Sequence, residues 1–238
     1  MAYGSQTAAA CYTDRKRFIR FLCGSAETLL GGDEEMSDER DKAFRGWAKL
    51  LNPDELRTNL VRASIFLTAY EFLRQALIEH LEGFFSDGWD VNGPILGEDY
   101  RCKVLSLRQM PFFASAIWFR NSGALSDDDL GRLREIREHR NFVAHHIPEI
   151  LGSVEAEARP ALLRAIADIV RKIDIWWIRE VEIPTNPDLD STAPDETDLD
   201  ATFSMRMAVL DLLLQVAEGN EETLRQLYEQ FTKRGVVH

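Results

Sequence analysis

A basic cluster lies at the end of a predicted amphipathic helix in the segment Arg137-Glu138-His139-Arg140-Asn141-Phe142-Val143-Ala144-His145-His146. Apolar residues before and within this segment recur at spacings of three and four, which predicts one buried helix face. That face consists of Leu130, Leu133, Ile136, Val143 and Ile147. Arg140 falls on the same face. A guanidinium is permanently charged, so in that position it needs an anionic partner, a carbonyl group or a water-filled crevice.

Helix geometry also groups the polar residues around Arg140. At about 100° of rotation per residue, the group spans an arc of roughly 140°, so its side chains are expected to converge on one region of space. The group is Arg137, Arg140, Asn141, Ala144 and His145. A second interpretation stays open, because Arg and His at a helix end commonly bind carbonyl groups or lie on a solvated face.

The flanking sequence predicts further helices. A long apolar helix is expected from Asn59 to Phe85 and a shorter one from Pro111 to Phe119. Ser126, followed by an acidic first turn, is expected to cap the motif helix, and Pro160 to start a return helix that runs to Trp177.

Two expectations concern the connections between these helices. Residues 37 to 51 are predicted to form a helix with Trp47, Leu50 and Leu51 facing inward, after which Asp54 caps the long helix. The region from Ser86 to Gly97 is rich in Gly, Asp and Asn and is predicted to be a turn-rich connection rather than a strand. No convincing period-two pattern is found, so the fold class is all-α.

Shifts in composition divide the chain into four parts. These are an N-terminal extension (1–35), a helical bundle (36–184), an acidic linker (185–201) and a C-terminal helical pair (202–238). The pair has an apolar stripe that includes Met207, Leu210 and Leu214, and it is too small to bury that stripe alone. It must therefore dock on the bundle or on another chain.

Composition excludes several classes of function. The 238 residues are 45% hydrophobic and 29% charged, as in an ordinary globular protein. The net charge of −12 argues against broad nucleic-acid binding, although Arg132, Arg134, Arg137 and Arg140 make the motif helix locally basic. No apolar run approaches the ~20 residues that span a bilayer, and no secretory signal is recognisable, so a cytoplasmic protein without a membrane partner is expected. The three cysteines lack zinc-site spacing, so neither a metal nor another cofactor is expected.

The run Arg140-Asn141-Phe142-Val143-Ala144-His145 resembles the signature of the HEPN superfamily (higher eukaryote and prokaryote nucleotide-binding). In that family an Arg precedes a His by four to six intervening residues, and a polar residue, often Asn, follows the Arg. The order of helices over roughly residues 55 to 182 is also similar to the family's bundle. The resemblance implies an all-α, HEPN-like up-down helical bundle, here with an additional C-terminal helical pair.

The same resemblance implies cleavage of RNA without a metal, with the ribose 2′-hydroxyl as nucleophile. His145 would act as general base or acid, which suits an imidazole because it gains and loses a proton near neutral pH. Arg140 would stabilise the charge of the transition state, and Asn141 would orient the phosphate or the His ring. Family members often form homodimers whose two motifs face each other, and several resemble toxin–antitoxin or abortive-infection proteins. A homodimeric endoribonuclease of toxin or defence type, with an antitoxin or another protein partner, is the leading hypothesis.

Supporting roles and other functions remain open. Arg137 and His146 are supporting candidates, and Glu71 is a candidate to pair with Arg140 from the long helix, although a solvated face explains all three equally well. His80 is expected to be a core or edge histidine. The alternative function is a noncatalytic module that binds RNA, a nucleotide or a protein partner. A third possible function is that of a structural dimerisation protein, in which the Arg and His residues only hold the interface together.

Overall fold

A computed structural model describes residues 44–48, 50–146, 151, 159–185 and 204–233 of the chain. The described residues are mostly helical, with a single two-stranded sheet among them, so the all-α expectation is confirmed. The predictions made for residues 1–35, for Ile147 and for the linker beyond residue 185 lie outside the described residues.

The described part of the chain forms the following elements in chain order. They are α1 (Pro53–Phe84), β1 (Ser86–Asp90), β2 (Gly93–Leu96), α2 (Glu98–Lys103), a 3₁₀ turn (Leu105–Leu107), α3 (Pro111–Asn121), α4 (Asp127–His145), α5 (Pro160–Trp177), a π-helical turn (Ile178–Glu182), a last helical turn (Ile183–Thr185), α6 (Met205–Ala217) and α7 (Glu221–Lys233). Residues 44–48 and 50–51 are also helical. The predicted starts of α3, α4 and α5 are confirmed, because Pro111 and Pro160 occupy first-turn positions and Ser126 is the N-cap of α4.

Helix α1 packs against α3, α4, α5 and α6 around one core. Its spacing of apolar residues places one long stripe against the other helices, and the members of the core come from all five. The largest fully buried aliphatic side chains are Leu73, Leu77, Leu81, Leu133, Ile136, Ile166, Ile169, Ile173 and Leu210. Of the two tryptophans that end α5, Trp177 is buried in the core, and the half-buried Trp176 lies edge-on to Phe119.

The start of α1 corrects one prediction. Asn52, not Asp54, is the N-cap, and its side chain accepts a hydrogen bond from the Asp54 backbone N–H at 3.1 Å. The reason is Pro53, which occupies the first helical position and has no N–H to be capped. Asp54 instead lies in the first turn, where an acidic side chain interacts favourably with the positive end of the helix dipole.

The helix before α1 also differs from the prediction made for it. Trp47 is 45% exposed and Leu51 is 61% exposed among the described residues, so neither faces the core as predicted. Leu50 is half-buried. Apolar character favours burial of a side chain but does not specify which element, if any, covers it.

The region from Ser86 to Gly97 forms an antiparallel hairpin, which the sequence analysis wrongly assigned to a turn-rich connection. The Asp90 carboxylate accepts the Asn92 backbone N–H at 2.7 Å, and Gly93 adopts a φ of 122° that side chains rarely tolerate. No residue of either strand is fully buried, so the alternation of polar and apolar residues that marks a strand is missing.

Asp129 fixes the start of α4 and connects it to α5. Its carboxylate accepts the Ser126 backbone N–H at 2.9 Å, while the Ser126 hydroxyl accepts the Asp129 N–H at 3.2 Å, which makes a capping box. Lys172 of α5 donates to both carboxylate oxygens, at 2.8 and 2.9 Å. Burial raises the pKa of Asp129, but the hydrogen bonds from Lys172 and Ser126 outweigh it, so the pKa lies below its usual value.

Helix α6 docks on the bundle, which is one of the two arrangements that the sequence left open, and α7 packs against α6. Leu210 of α6 joins the core, and Met207 is buried beside it. A polar cluster lies at the N-terminus of α6. Buried Asp174 accepts hydrogen bonds there from Arg206 at 3.0 Å and from the Ser204 hydroxyl at 2.6 Å. His80 contacts the same carboxylate at 3.2 Å and stacks on Trp177, which confirms it as an edge histidine.

Replacing Asp129 by Asn should lower the free energy of unfolding by about 1–3 kcal/mol at neutral pH, since a buried charged acceptor is lost. The native pKa of Asp129 is depressed, so its contribution is complete above the unfolded value of about 4 and is lost as the pH falls through the native value. Urea unfolding of both proteins between neutral and acid pH should therefore give curves that converge at low pH. Asp127→Asn, with an exposed carboxylate in the same turn, is the control. A constant difference between wild type and Asp129→Asn would contradict the assignment.

Replacing Leu210 by Ala should destabilise the protein by about 2–5 kcal/mol, because it leaves a cavity in the core. Leu212 on the same helix is 38% exposed, compared with 1% for Leu210. Leu212→Ala should cost well under about 1 kcal/mol. Thermal unfolding followed by circular dichroism at 222 nm measures the loss of stability in each variant. Equal losses would show that α6 is not packed into the core through Leu210.

Candidate functional site

Arg140 lies where the buried face of α4 reaches the surface. Leu133, Ile136 and Val143 on that face are buried, whereas the Arg140 side chain is 34% exposed. Its guanidinium carbon lies 5.4 Å from the centre of the Tyr70 ring on α1. Its Nε atom is buried and has no hydrogen-bond partner among the described residues. The α4 stripe thus includes a cation that rests on an aromatic ring.

Glu71 approaches Arg140 without binding it closely. The distance from Glu71 Oε1 to Arg140 Nη2 is 4.0 Å, too long for a hydrogen bond. The other oxygen of Glu71 accepts a hydrogen bond from Arg74 Nε at 2.8 Å. The structure therefore places Glu71 beside Arg140, as the sequence analysis considered, but the carboxylate is engaged mainly by Arg74.

Asn141 is also beside Arg140. Its Oδ1 accepts from Arg140 Nη1 at 3.5 Å, which is a long contact, and its side chain is half-buried. The amide is thus close enough to orient the guanidinium or a group bound to it.

Arg137 lies one turn before Arg140 and rests on a different ring. Its guanidinium carbon is 5.8 Å from the centre of the Phe113 ring, and the exposed Arg108 reaches the same ring at 5.4 Å. Neither Arg137 nor Arg108 forms an ion pair with another described residue. Arg74, Arg108, Arg137 and Arg140, together with Tyr70 and Phe113, are called the arginine patch from here on.

The charges of the arginine patch affect the pKa of the Tyr70 hydroxyl. Burial raises the pKa of Tyr70 above its ordinary value, and the charges of Arg137 and Arg140 oppose that rise. The hydroxyl therefore stays protonated at neutral pH and is available as a hydrogen-bond donor beside two guanidiniums. Four arginines and one phenol thus meet at this surface, and Glu71 is the described carboxylate that lies within 4.0 Å of Arg74 and Arg140.

The two histidines of the motif lie apart from Arg140. His145 is exposed and makes no hydrogen bond or ring contact within the described part of the chain. Five residues of helix place it about 140° around the axis from Arg140 and about 7.5 Å further along. His146 turns back on its own helix, where its Nδ1–H donates to the Phe142 carbonyl at 3.1 Å and its ring stacks on Phe142. One chain therefore brings together Arg140, Asn141, Arg137 and Glu71, but neither histidine.

The sequence analysis did not single out His139, which is buried on the α4 stripe. Its ring packs edge-on to Phe66 at 4.7 Å, and its Nε2 has no hydrogen-bond partner among the described residues. Burial lowers the pKa of His139, and the positive charge of Arg159 lowers it further. Its spacing from Ile136 and Val143 was the available signal for burial.

The Asp174 cluster was also missed as a unit. Asp174 occupies a core position of α5, so a charged residue within an apolar stripe was a signal of a buried partner. Its partners His80 and Arg206 are distant along the chain, and no sequence pattern joins them. Ser204 caps α6 by accepting the Met207 N–H, so its hydroxyl has a structural task.

Neither a metal-binding cluster nor a membrane-spanning helix is present among the described residues. No group of three or more His, Cys, Asp or Glu side chains is placed to hold a metal ion there. Within the same residues, every helix is too short or too polar to cross a lipid bilayer.

Comparison with protein-family models, with curated proteins and with solved structures finds no match to this chain. The chemistry of the arginine patch must therefore be argued from its own geometry.

The imidazole of His139 should titrate below the ordinary histidine value of about 6.5, because burial disfavours its charged form. Since the unfolded chain binds that proton more readily, stability should decline as the pH falls through the unfolded value. A two-dimensional ¹H–¹³C NMR titration of the assigned His139 ring measures the shift. A midpoint at or above the ordinary value would show that the ring is solvated or paired with an anion.

Proposed function

We propose that this protein is a metal-independent endoribonuclease of toxin or defence type, with a HEPN-like up-down bundle and a composite site of Arg140, Asn141 and His145 at a homodimer interface. The proposal rests on one observation: the positive charge of Arg140 is only weakly neutralised by the described residues. Its guanidinium lies within the arginine patch, and the nearest described carboxylate, Glu71, is 4.0 Å away and bonded to Arg74. A cation so weakly neutralised favours an anionic ligand such as a phosphodiester.

The proposed reaction is attack of a ribose 2′-hydroxyl on the adjacent phosphorus. His145 removes the hydroxyl proton or protonates the departing 5′-oxygen, and the products are a 2′,3′-cyclic phosphate and a 5′-hydroxyl. Arg140 donates hydrogen bonds to the phosphate oxygens, whose charge grows in the transition state, and Asn141 orients them. Glu71 and Arg137 hold and extend the cationic surface, while His146 closes the end of α4.

A second copy of the chain explains the separation of His145 from Arg140. On one helix, Arg140 and His145 lie at opposite edges of the arc of about 140° and about 7.5 Å apart along the axis, so two chains bring an Arg and a His to one phosphate more readily than one chain does. Two α4 helices facing each other across a two-fold axis would place the His145 of one chain near the Arg140 of the other. The homodimer therefore belongs to the proposal as a requirement of the chemistry.

The alternative is a noncatalytic module that binds RNA, a nucleotide or a protein partner. His145 has no orienting partner among the described residues, which favours this alternative because general bases are usually held by a second group. In this alternative the arginine patch still binds an anion, but no bond is broken.

The test is cleavage of a mixed RNA pool by the purified protein with EDTA present. Arg140→Ala and His145→Gln should each reduce the rate by at least about a hundredfold, since each removes charge stabilisation or proton transfer. The control is Arg57→Ala, an exposed arginine on α1 about 20 Å of helix rise from Tyr70. Products with 2′,3′-cyclic phosphate ends support the mechanism. No cleavage by wild type, or equal cleavage by all variants, favours the noncatalytic module.

Mixing the two inactive variants tests the composite site. If Arg140 and His145 act from different chains, a mixed dimer has one intact site, and random exchange should restore about a quarter of wild-type activity. If both residues act within one chain, mixing restores nothing.

A further inference from the structure

Phe113 is contacted by two guanidiniums that come from different parts of the chain. Arg108 precedes α3 and Arg137 belongs to α4, yet their guanidinium carbons lie 5.4 and 5.8 Å from the centre of the same ring. Phe113 is only half-buried, and Arg108 is exposed. The pair of cations is therefore accessible to a ligand.

The charge balance at this ring favours an anion. Two like charges that share one ring repel each other, and no described carboxylate forms an ion pair with either of them. The chain as a whole carries a net charge of −12, so acidic side chains are abundant elsewhere. An anion placed between the guanidiniums would remove the repulsion and gain hydrogen bonds from both.

The ring also connects this pair to Arg140. Phe112 stacks on Tyr70 at 5.6 Å and contacts Phe113 at 5.2 Å, so one aromatic row carries Arg140 at one end and the Arg108–Arg137 pair at the other. Nucleic acid presents one phosphate per nucleotide along its strand. Arg137 and Arg140 are three residues apart on α4 and are therefore neighbours on its surface, so the two cationic positions suit neighbouring phosphates of the same strand.

We propose that Arg108, Phe113 and Arg137 form a subsite for the nucleotide next to the phosphate held at Arg140, and that its ligand is single-stranded RNA. The phosphate of that nucleotide binds between the two guanidiniums, and its base stacks on the exposed planar face of Arg108. A single strand is favoured because its bases are free to stack, and because four arginines are too few for a duplex-wide basic surface. The inference rests on the proposed function for the position of the neighbouring phosphate.

Binding is tested separately from cleavage with a short, fluorescein-labelled 2′-O-methyl RNA, which lacks the attacking hydroxyl. Fluorescence anisotropy should show Kd raised about tenfold by Arg108→Ala or Arg137→Ala, and a salt slope reduced by about 1. Arg57→Ala should leave Kd unchanged, because Arg57 lies far along α1 and pairs with Asp54. Circular dichroism confirms that the surface variants are folded.

The kinetics of RNA cleavage provide a second test. Arg108→Ala should raise KM more than it lowers kcat on a short oligonucleotide, and the defect should shrink on a dinucleotide that has no neighbouring phosphate. Loss of binding in Arg108→Ala without any cleavage by wild type would keep the subsite and reject the nuclease. Cleavage with unchanged Kd and KM in Arg108→Ala would keep the nuclease and reject the subsite. Equal binding of a labelled polyglutamate peptide would also overturn the subsite, by assigning the surface to acidic proteins.

Discussion

The carboxylate of Asp129 is the constraint on which the position of the site depends. It closes the capping box with Ser126 and accepts two hydrogen bonds from Lys172, so it fixes both where α4 begins and how α4 meets α5. Once the first turn is fixed, helix geometry determines the rotation of every later residue. Leu133, Ile136 and Val143 then face the core, and Arg140 must face the same way. The arginine reaches Tyr70 because of a hydrogen-bond pattern that lies three turns earlier.

The chain uses its charges in two different ways. Asp129 and Asp174, the two aspartates that are buried among the described residues, each have a cationic partner at hydrogen-bond distance: Lys172 for Asp129, and Arg206 for Asp174. Those pairs satisfy carboxylates that would otherwise be costly to bury. The arginine patch differs, because Arg108, Arg137 and Arg140 rest on aromatic rings and the carboxylate of Glu71 is hydrogen-bonded to Arg74. An acidic protein that leaves these three guanidiniums weakly neutralised keeps a local preference for anions against its overall charge.

Local signals made much of the fold predictable. Proline at a first helical position and Ser126 with its acidic turn located α3, α4 and α5, because caps act through residues adjacent in sequence. The hairpin was missed because half-exposed strands lack alternation, and Trp47 and Leu51 were misplaced because hydrophobicity alone does not identify a covering element. The grouping of Arg137, Arg140 and Asn141 followed from helix periodicity. Their neighbours Tyr70, Phe113 and Arg108 did not, because periodicity gives the rotation of a residue on its own helix and not what lies opposite.

The proposed dimer and the proposed ligand support each other energetically. Two arginine patches brought together across a two-fold axis would place many like charges on one interface, which opposes association. An RNA strand lying between them would neutralise both patches and would replace that repulsion with charge-assisted hydrogen bonds. Anything that binds the dimer better than the monomer shifts the population toward the dimer by its difference in affinity. Under the proposed function, the substrate therefore helps to assemble the site that cleaves it, and the net charge of −12 keeps other surfaces of the two chains from competing for the strand.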